Sequence, residues 1–146
     1  MNSQRLNFQY DYPCEIVSER LVREFIEKKL TDEYGGVYTN YKNEFGSRDV
    51  LSESEGLAML YYLYIKDEEG YRRHVEFVKE RMMLKNNLVS WRVGEDYKYS
   101  SSASIDDLRI VRALIIGYGV FGDKEYYNLA KRIIGAVKNM NVEVGF

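Results

Sequence analysis

The sequence predicts an all-α protein built from repeated α/α-hairpins. Five segments carry apolar residues at helical spacing, and together they cover more than half of the 146 residues. The chain contains a single proline, as expected where helices dominate. Two of the segments begin with a serine followed three residues later by an acid, and these starts, Ser52 and Ser104, lie 52 residues apart. A spacing of that length predicts a repeated helical hairpin within one domain over residues 1–146.

Each predicted element has its own local signal. A loose N-terminal arm over residues 1–12 precedes the first helix, which ends before the turn at Gly35-Gly36. Ser52 and Glu55 form a capping box at the start of the second helix, and Ser104 with Asp107 starts the fourth in the same way. Short extended segments are expected near Val37 and Val89. Helices are predicted over residues 13–30, 52–64, 71–83, 104–118 and 126–137.

The two hairpins, over residues 52–83 and 104–137, follow one plan. Each has a strongly apolar helix, a tight acidic turn and then an amphipathic helix that begins at a tyrosine. Two such units predict part of an (α/α) toroid with the apolar helices inside. If the units stack in the same sense, the starts of the inner helices share one rim. That rim would carry four acids: Glu53, Glu55, Asp106 and Asp107.

Composition excludes several classes of function. The formal net charge of −2 argues against a dedicated binder of nucleic acid or of an anionic membrane surface. One cysteine and one histidine exclude a disulfide framework and the common zinc motifs, so no metal or cofactor is expected. The longest apolar run, residues 113–121, is far shorter than the roughly 20 residues of a membrane span. Without a visible signal segment, the chain is expected to be soluble as given.

The rim acids have two interpretations. Acids in the first turn of a helix interact favourably with its dipole, so each can be purely structural. Two carboxylates across a cleft are also the groups that hydrolyse glycosidic bonds. The neighbouring segments contain aromatic residues whose flat faces suit sugar rings, although each could instead pack on a helix. These residues are Tyr38, Tyr41, Trp91, Tyr97 and Tyr99.

Three strings occur in an order that resembles glycoside hydrolase family 8. They are VLSESEGLAMLYYL, RMMLKNNLVSWRV and ASIDDLRIVRALIIGYGVFGDKEYYNLAKRIIGAV. They are most similar to the bacterial, exopolysaccharide-linked members, where strings such as YTNY also occur. The resemblance extends from about residue 37 to residue 137.

The resemblance implies an (α/α)6 toroid that hydrolyses a β-linked polysaccharide with inversion. Glu53 matches the position of the general acid, and either Asp106 or Asp107 would contact the sugar in the central subsite. The chain departs from the family at Ile105 and Arg109, where the family pattern has aspartates. Further sugar contacts are implied for the aromatic and basic residues of the matching strings. These are Trp91, Arg92, Tyr41 and Tyr38.

The family's toroid has six hairpins, and its catalytic base lies in the later half. The sequence therefore predicts a half-toroid that self-associates or pairs with a missing C-terminal half, with an extracellular or cell-surface location by resemblance. The alternative is a non-catalytic helical-repeat module that binds carbohydrate or protein. A general acid must hold its proton, which favours a partly desolvated Glu53 close to Asp106 or Asp107. Glu55 should serve only as a cap, and His74 with Arg72-Arg73 should lie on a solvated face.

Overall fold

Helices account for most of the described chain, as the apolar periodicity predicts. The computed structural model describes residues 19–42 and 48–143, with side chains through residue 140 in the last helix. The predicted arm and the start of the first predicted helix lie outside these ranges. The helices are α1 (Glu19–Phe25, continued by a π-helical turn, Ile26–Leu30), α2 (Ser52–Tyr64), α3 (Glu68–Phe77, continued by a π-helical turn, Val78–Met82), α4 (Ser104–Phe121) and α5 (Lys124–Glu143).

The core lies between the two hairpins. α2 packs against α4, and each of these inner helices packs against the outer helix that follows it, α3 or α5. Large side chains on all four helices are completely buried where the helices meet, and burial of this apolar surface is the main stabilising contribution. They include Met59, Tyr71, Ile110, Leu114 and Ile133.

A two-stranded antiparallel sheet lies at the entry to α2. β1 (Val50–Leu51) pairs with β2 (Arg92–Val93), with Val50 opposite Val93. The extended segments expected near Val37 and Val89 are isolated bridges, Thr31 with Val37 and Met83 with Val89. The strands hold the loops of successive hairpins together at one end of the helices.

The 52-residue repeat extends further than the sequence indicates. Both π-helical turns end an outer helix, and they are 52 residues apart. The turns that follow place Gly35 and Asn87 at positive φ, 97° and 66°, which glycine and asparagine tolerate best. Each loop then returns to its helix, through a hydrogen bond from Tyr38 N–H to the Leu30 carbonyl and from Ser90 N–H to the Met82 carbonyl, 2.8 Å each. α1 is therefore the counterpart of α3, and α2 that of α4.

The predicted serine caps are wrong. α2 and α4 begin at Ser52 and Ser104, but neither N-terminus has a side-chain cap. Because β1 leads directly into α2, the backbone N–H of Ser52 bonds instead to the Trp91 carbonyl of the neighbouring loop, at 3.0 Å. The one side-chain cap on the inner and outer helices α2 to α4 is Asp67, which accepts the Gly70 N–H at 3.0 Å and starts α3.

None of the helices in the described ranges has both the length and the apolar character needed to cross a bilayer.

Candidate functional site

The starts of the two inner helices lie side by side, as the predicted stacking requires. Gly56 in α2 faces Arg109 in α4, and a Cβ at Gly56 would lie 3.1 Å from the Cγ and Cδ of that arginine. The absence of a side chain at Gly56 thus lets the stem of Arg109 cross between the two helices. Its guanidinium reaches the rim on which the predicted acids lie.

Asp106, Arg109, Ser52 and Glu53 form a polar cluster at this rim, which we call the rim cluster. Asp106 Oδ1 accepts a 2.6 Å hydrogen bond from Arg109 Nη1, and Asp106 Oδ2 accepts one of 3.2 Å from the Ser52 hydroxyl. Glu53 Oε1 lies 3.7 Å from the same Arg109 nitrogen. The facing oxygens of Glu53 and Asp106 are therefore at most about 6.3 Å apart, since the path through that nitrogen is 3.7 Å plus 2.6 Å.

The two carboxylates of the rim cluster differ in their exposure. The side chain of Glu53 is 56% exposed, whereas that of Asp106 is 15% exposed. The proximity expected for Glu53 is present, but the expected desolvation is not. Glu53 lies in the first turn of α2. Among the described residues, Arg109 is its one ion-pair partner.

Asp107 lies beside Asp106 in sequence but points into the protein. Its side chain is completely buried, and its Oδ1 accepts the backbone N–H of Val89 at 3.1 Å. Burial raises the pKa of Asp107 to about 6, against an opposing effect of the Val89 N–H and the nearby Ser102 hydroxyl. The negative charge of Asp106 adds to the increase in pKa.

Glu55 is not a helix cap, and His74 is not on a solvated face. Both side chains are buried, and Glu55 bridges the Val37 N–H, at 2.6 Å from Oε1, and His74 Nδ1, at 3.1 Å from Oε2. The His74 ring stacks on Tyr62 with 5.0 Å between centroids. The sequence contained a signal for this placement, because His74 falls in the helical stripe of Tyr71 and Val78.

Trp91 and Arg92 lie next to the rim cluster. The Trp91 carbonyl accepts the Ser52 N–H, and its ring packs against that of Tyr99 with centroids 5.2 Å apart. The Arg92 guanidinium lies over both rings, 5.8 Å from Trp91 and 5.9 Å from Tyr99. Arg92 also pairs with the buried carboxylate of Asp49. The residues that flank β2 thus present one aromatic pair, and β2 itself contributes one oriented cation.

Tyr38 and Tyr41 lie on the loop that precedes β1. The Arg48 guanidinium covers the Tyr38 ring at 4.6 Å, and a bridge ties Tyr38 to Val50. Tyr41 is exposed, and its ring packs against Phe25 of α1 with centroids 5.5 Å apart. The structure therefore places Tyr38 beside β1 and Tyr41 against α1.

A cavity of about 430 Å³ opens between this loop and the loop after β2. Its walls include Tyr34, Tyr38 and Tyr97, and Asp49 accepts the Tyr97 hydroxyl at 2.5 Å. Within residues 19–42 and 48–143, no group of three or more potential ligand side chains is arranged to hold a metal ion.

Several known proteins share this architecture. No protein-family model matches the chain. A structure described as a novel alpha-amylase from Clostridium perfringens has 40% sequence identity and a TM-score of 0.72, over 79% of this chain and 36% of that one. Endoglucanase Cel10, a family 8 glycosyl hydrolase from Klebsiella pneumoniae, has 19% identity and a TM-score of 0.67, over 77% of this chain and 37% of that one. The chain has the fold of the family 8 glycoside hydrolases. It forms part of their (α/α)6 toroid.

Other structures with the family 8 fold also match, among them endo-β-1,4-glucanases. In sequence, the chain is 27% identical over 122 residues to YdaJ of Bacillus subtilis (strain 168), which is named as a candidate lipoprotein. That match covers 84% of this chain and 33% of YdaJ. The chain thus spans about a third of the length of the relatives that it matches.

Sequence reasoning missed two residues of the site. Arg109 was noted only as a departure from the family pattern, yet it contacts both Asp106 and Glu53. The three-residue spacing between Asp106 and Arg109 on one helix was the available signal. Asp49, which orients Arg92 and Tyr97, had no signal, since its partners lie more than 40 residues away in sequence.

Proposed function

We propose that the chain carries the proton-donating side of the active site of a polysaccharide-cleaving glycoside hydrolase. The observation that carries this proposal is the rim cluster, which brings Glu53 and Asp106 together from two helices of a family 8 fold. The resemblance of the sequence to that family supports the same assignment. The aromatic pair beside the cluster, Trp91 and Tyr99, provides a surface for a sugar ring.

In this proposal Glu53 is the general acid. Its exposed carboxyl group is accessible to the oxygen of a glycosidic bond. The bound glycan would exclude water from the carboxyl group, which would then protonate that oxygen as the bond breaks. Ser52 and Arg109 hold the two carboxylate oxygens of Asp106 in a fixed orientation. Each oxygen can accept a further hydrogen bond, so Asp106 would accept one from a hydroxyl of the sugar ring. Asp107 is the weaker candidate for this contact, since its carboxylate is completely buried.

Asp106 does not suit the role of catalytic base. An inverting mechanism needs room for a water molecule and a sugar between acid and base, which are commonly about 6.5–9.5 Å apart. Between Glu53 and Asp106 that space is occupied by the Arg109 guanidinium. We therefore assign the base to a part of the toroid other than the two hairpins described.

The substrate would be a β-linked bacterial polysaccharide, an exopolysaccharide or a glucan. Matching endoglucanases of this fold favour a β-linked glucan, whereas the neighbour with 40% identity is described as an alpha-amylase. A test of substrate must therefore include both linkages. The name of YdaJ supports an extracellular or cell-surface location. Glu53 and the aromatic pair lie on the exposed rim, where a long glycan could bind.

The remaining surface of the second hairpin supports an association proposal. α4 exposes large apolar side chains, including Ile105, Leu108 and Ile115. Exposed apolar patches of this kind commonly mark interfaces. In a toroid this face would pack against the next hairpin, and here a second copy of the chain or a missing C-terminal half would cover it.

Binding and turnover can be tested separately on this chain. Isothermal titration with cellohexaose and with maltohexaose measures binding, and release of reducing ends measures cleavage. We expect one of the two sugars to bind, and Asp106→Ala to weaken its binding by about tenfold, the equivalent of 1.4 kcal/mol. Glu53→Gln should bind like the wild type and remove any cleavage.

The matched control is Glu69→Gln, which changes an exposed first-turn acid of α3. It should alter neither binding nor cleavage. Failure of the wild type to bind either sugar would contradict the proposal. Binding by the wild type with equal cleavage by Glu53→Gln would remove Glu53 from the mechanism. Because the base is assigned outside the two hairpins, binding without cleavage is the expected result for this chain alone.

A further inference from the structure

Two buried carboxylates occupy equivalent positions in the inner helices. Glu55 and Asp107 are each the fourth residue of their helix, and both side chains are completely buried. Each accepts one backbone N–H from a residue 18 positions earlier in the chain. Val37 donates to Glu55 at 2.6 Å, and Val89 donates to Asp107 at 3.1 Å. The same contact is therefore made twice, with different acids.

Both donors belong to the loops that leave the π-helical turns. Each loop is closed on its own helix by a bridge, Thr31 with Val37 in the first and Met83 with Val89 in the second. The bond to the carboxylate is a different kind of contact, since it joins the closed loop to the next inner helix. A charged acceptor makes such a bond stronger than one between neutral groups.

The residues that follow these donors are the aromatic candidates for sugar contact. Tyr38 comes directly after Val37, and Trp91 comes two residues after Val89. We infer that Glu55 and Asp107 are positioning residues that fix the Tyr38 and Trp91 loops against the inner helices. Neither carboxylate is accessible to a sugar. The inference rests on the proposed function for the role of the two rings, while the anchoring can be measured without a sugar.

The two anchors are not equally supported. Glu55 has a second buried partner in His74, and the position equivalent to His74 in α5 is Tyr126. Asp107 holds its loop through the Val89 N–H, with the Ser102 hydroxyl nearby and no buried histidine beside it. Loss of the Asp107 carboxylate should therefore release the Trp91 loop more completely than loss of Glu55 releases the Tyr38 loop.

Because Trp91 is the sole tryptophan in the sequence, its fluorescence reports on this loop. We would record Trp91 emission and quenching by acrylamide, without sugar, at a temperature where circular dichroism shows every variant to be folded. Asp107→Ala should shift the emission to longer wavelength and raise the quenching constant by about twofold, as expected for local opening. Asp107→Asn keeps an oxygen acceptor for the Val89 N–H and should preserve both signals.

A destabilised variant with Asp107 intact separates loss of the anchor from a general loss of stability. Ile133→Val in the buried core of α5 should cost about 1 kcal/mol and leave the Trp91 signals unchanged. If Asp107→Ala does not fold, Asp107→Ser gives the same comparison. The serine hydroxyl oxygen is one bond closer to the backbone than the carboxylate oxygens of Asp107, so it should not reach the Val89 N–H. Unchanged Trp91 emission and quenching in the folded alanine or serine variant would overturn the inference.

A second readout connects the anchor to the sugar. With whichever hexasaccharide the wild type binds, Asp107→Ala should weaken binding by about tenfold and Asp107→Asn by less than about twofold, with a tenfold change equal to 1.4 kcal/mol. Absence of binding by the wild type would contradict the proposed function and leave the anchoring to be decided by the sugar-free fluorescence. Equal binding by all three proteins would contradict the positioning role.

Discussion

Gly117 and Gly119 lie two residues apart in α4, and the structure predicts opposite effects of alanine at the two positions. A Cβ at Gly117 would lie 2.2 Å from the hydroxyl oxygen of Tyr71, closer than any normal contact. A Cβ at Gly119 would have no neighbour within 4 Å. Gly117→Ala should therefore destabilise the fold, and Gly119→Ala should stabilise it.

The size of the first effect follows from the surroundings of Tyr71. Its ring cannot move away, because it is completely buried between Phe121 and Tyr126, with centroids 5.4 and 5.0 Å away. Displacing the ring would also break the 3.1 Å hydrogen bond from its hydroxyl to the Ala113 carbonyl. Overpacking costs about 1–3 kcal/mol and the lost bond about 1 kcal/mol, against a gain of about 1 kcal/mol in helix propensity. The net expectation for Gly117→Ala is a loss of about 2 kcal/mol.

Urea unfolding followed by circular dichroism measures both variants on one scale. For a chain of this size, the loss in Gly117→Ala corresponds to a melting temperature lower by about 4–8 °C. Gly119→Ala should raise the free energy of unfolding by about 0.5–1 kcal/mol. Equal effects of the two substitutions would refute the close approach of the Tyr71 ring to α4 at Gly117.

Three further predictions concern charge, the rim and association. The raised pKa of Asp107 means that its folded form keeps a proton, between about pH 4 and 6, that the unfolded chain has lost, so stability falls as pH rises through this range. At pH 7, Asp107→Asn should be more stable than the wild type by up to about 3 kcal/mol, because the pKa of Asp107 is shifted by about two units. At pH 4 the two proteins should have similar stability. An equal difference in the free energy of unfolding at pH 4 and pH 7, measured by urea titration, would contradict the burial of this charge. Gly56→Ala should displace the Arg109 side chain by a few tenths of an ångström. Sugar affinity should therefore fall, while the free energy of unfolding changes by less than about 1 kcal/mol. A large loss of stability with unchanged sugar affinity would argue against a role of the rim cluster in binding. Light scattering at tens of micromolar should show a dimer, which substitution of Ile115 by a charged residue dissociates, and a monomeric wild type would count against the association proposal.

The fold was largely predictable because its main determinants are local and repeated. Helical spacing of apolar residues identified all five helices, and the 52-residue offset between Ser52 and Ser104 predicted how the hairpins stack. The serines themselves were misinterpreted, since the sequence does not show that β1 enters α2 and that the N–H of Ser52 already has a partner in the next loop. A capping motif describes one helix in isolation, whereas this helix start is defined by a contact across the repeat.

The position of the candidate site in the fold was predictable, but the orientation of its side chains was not. The sequence placed Glu53, Glu55, Asp106 and Asp107 on one rim, and the structure brings the helix starts together as expected. The sequence could not show which acids point inward. On a helix, adjacent residues such as Asp106 and Asp107 differ by about 100° in direction, and residues two apart, such as Glu53 and Glu55, differ by about 200°. Glu55 and Asp107 therefore face the loops, and Glu53 faces solvent. Arg109 was recognisable only as a departure until its contact with both sides of the rim was visible.

A crystal structure of this chain with a bound hexasaccharide would test the central claim most directly. The account predicts a sugar ring against Trp91, a ring hydroxyl bonded to Asp106, and a glycosidic oxygen within hydrogen-bond distance of Glu53. A glycan bound instead in the cavity beside Tyr34 and Tyr97, with no contact to Glu53 or Asp106, would contradict it.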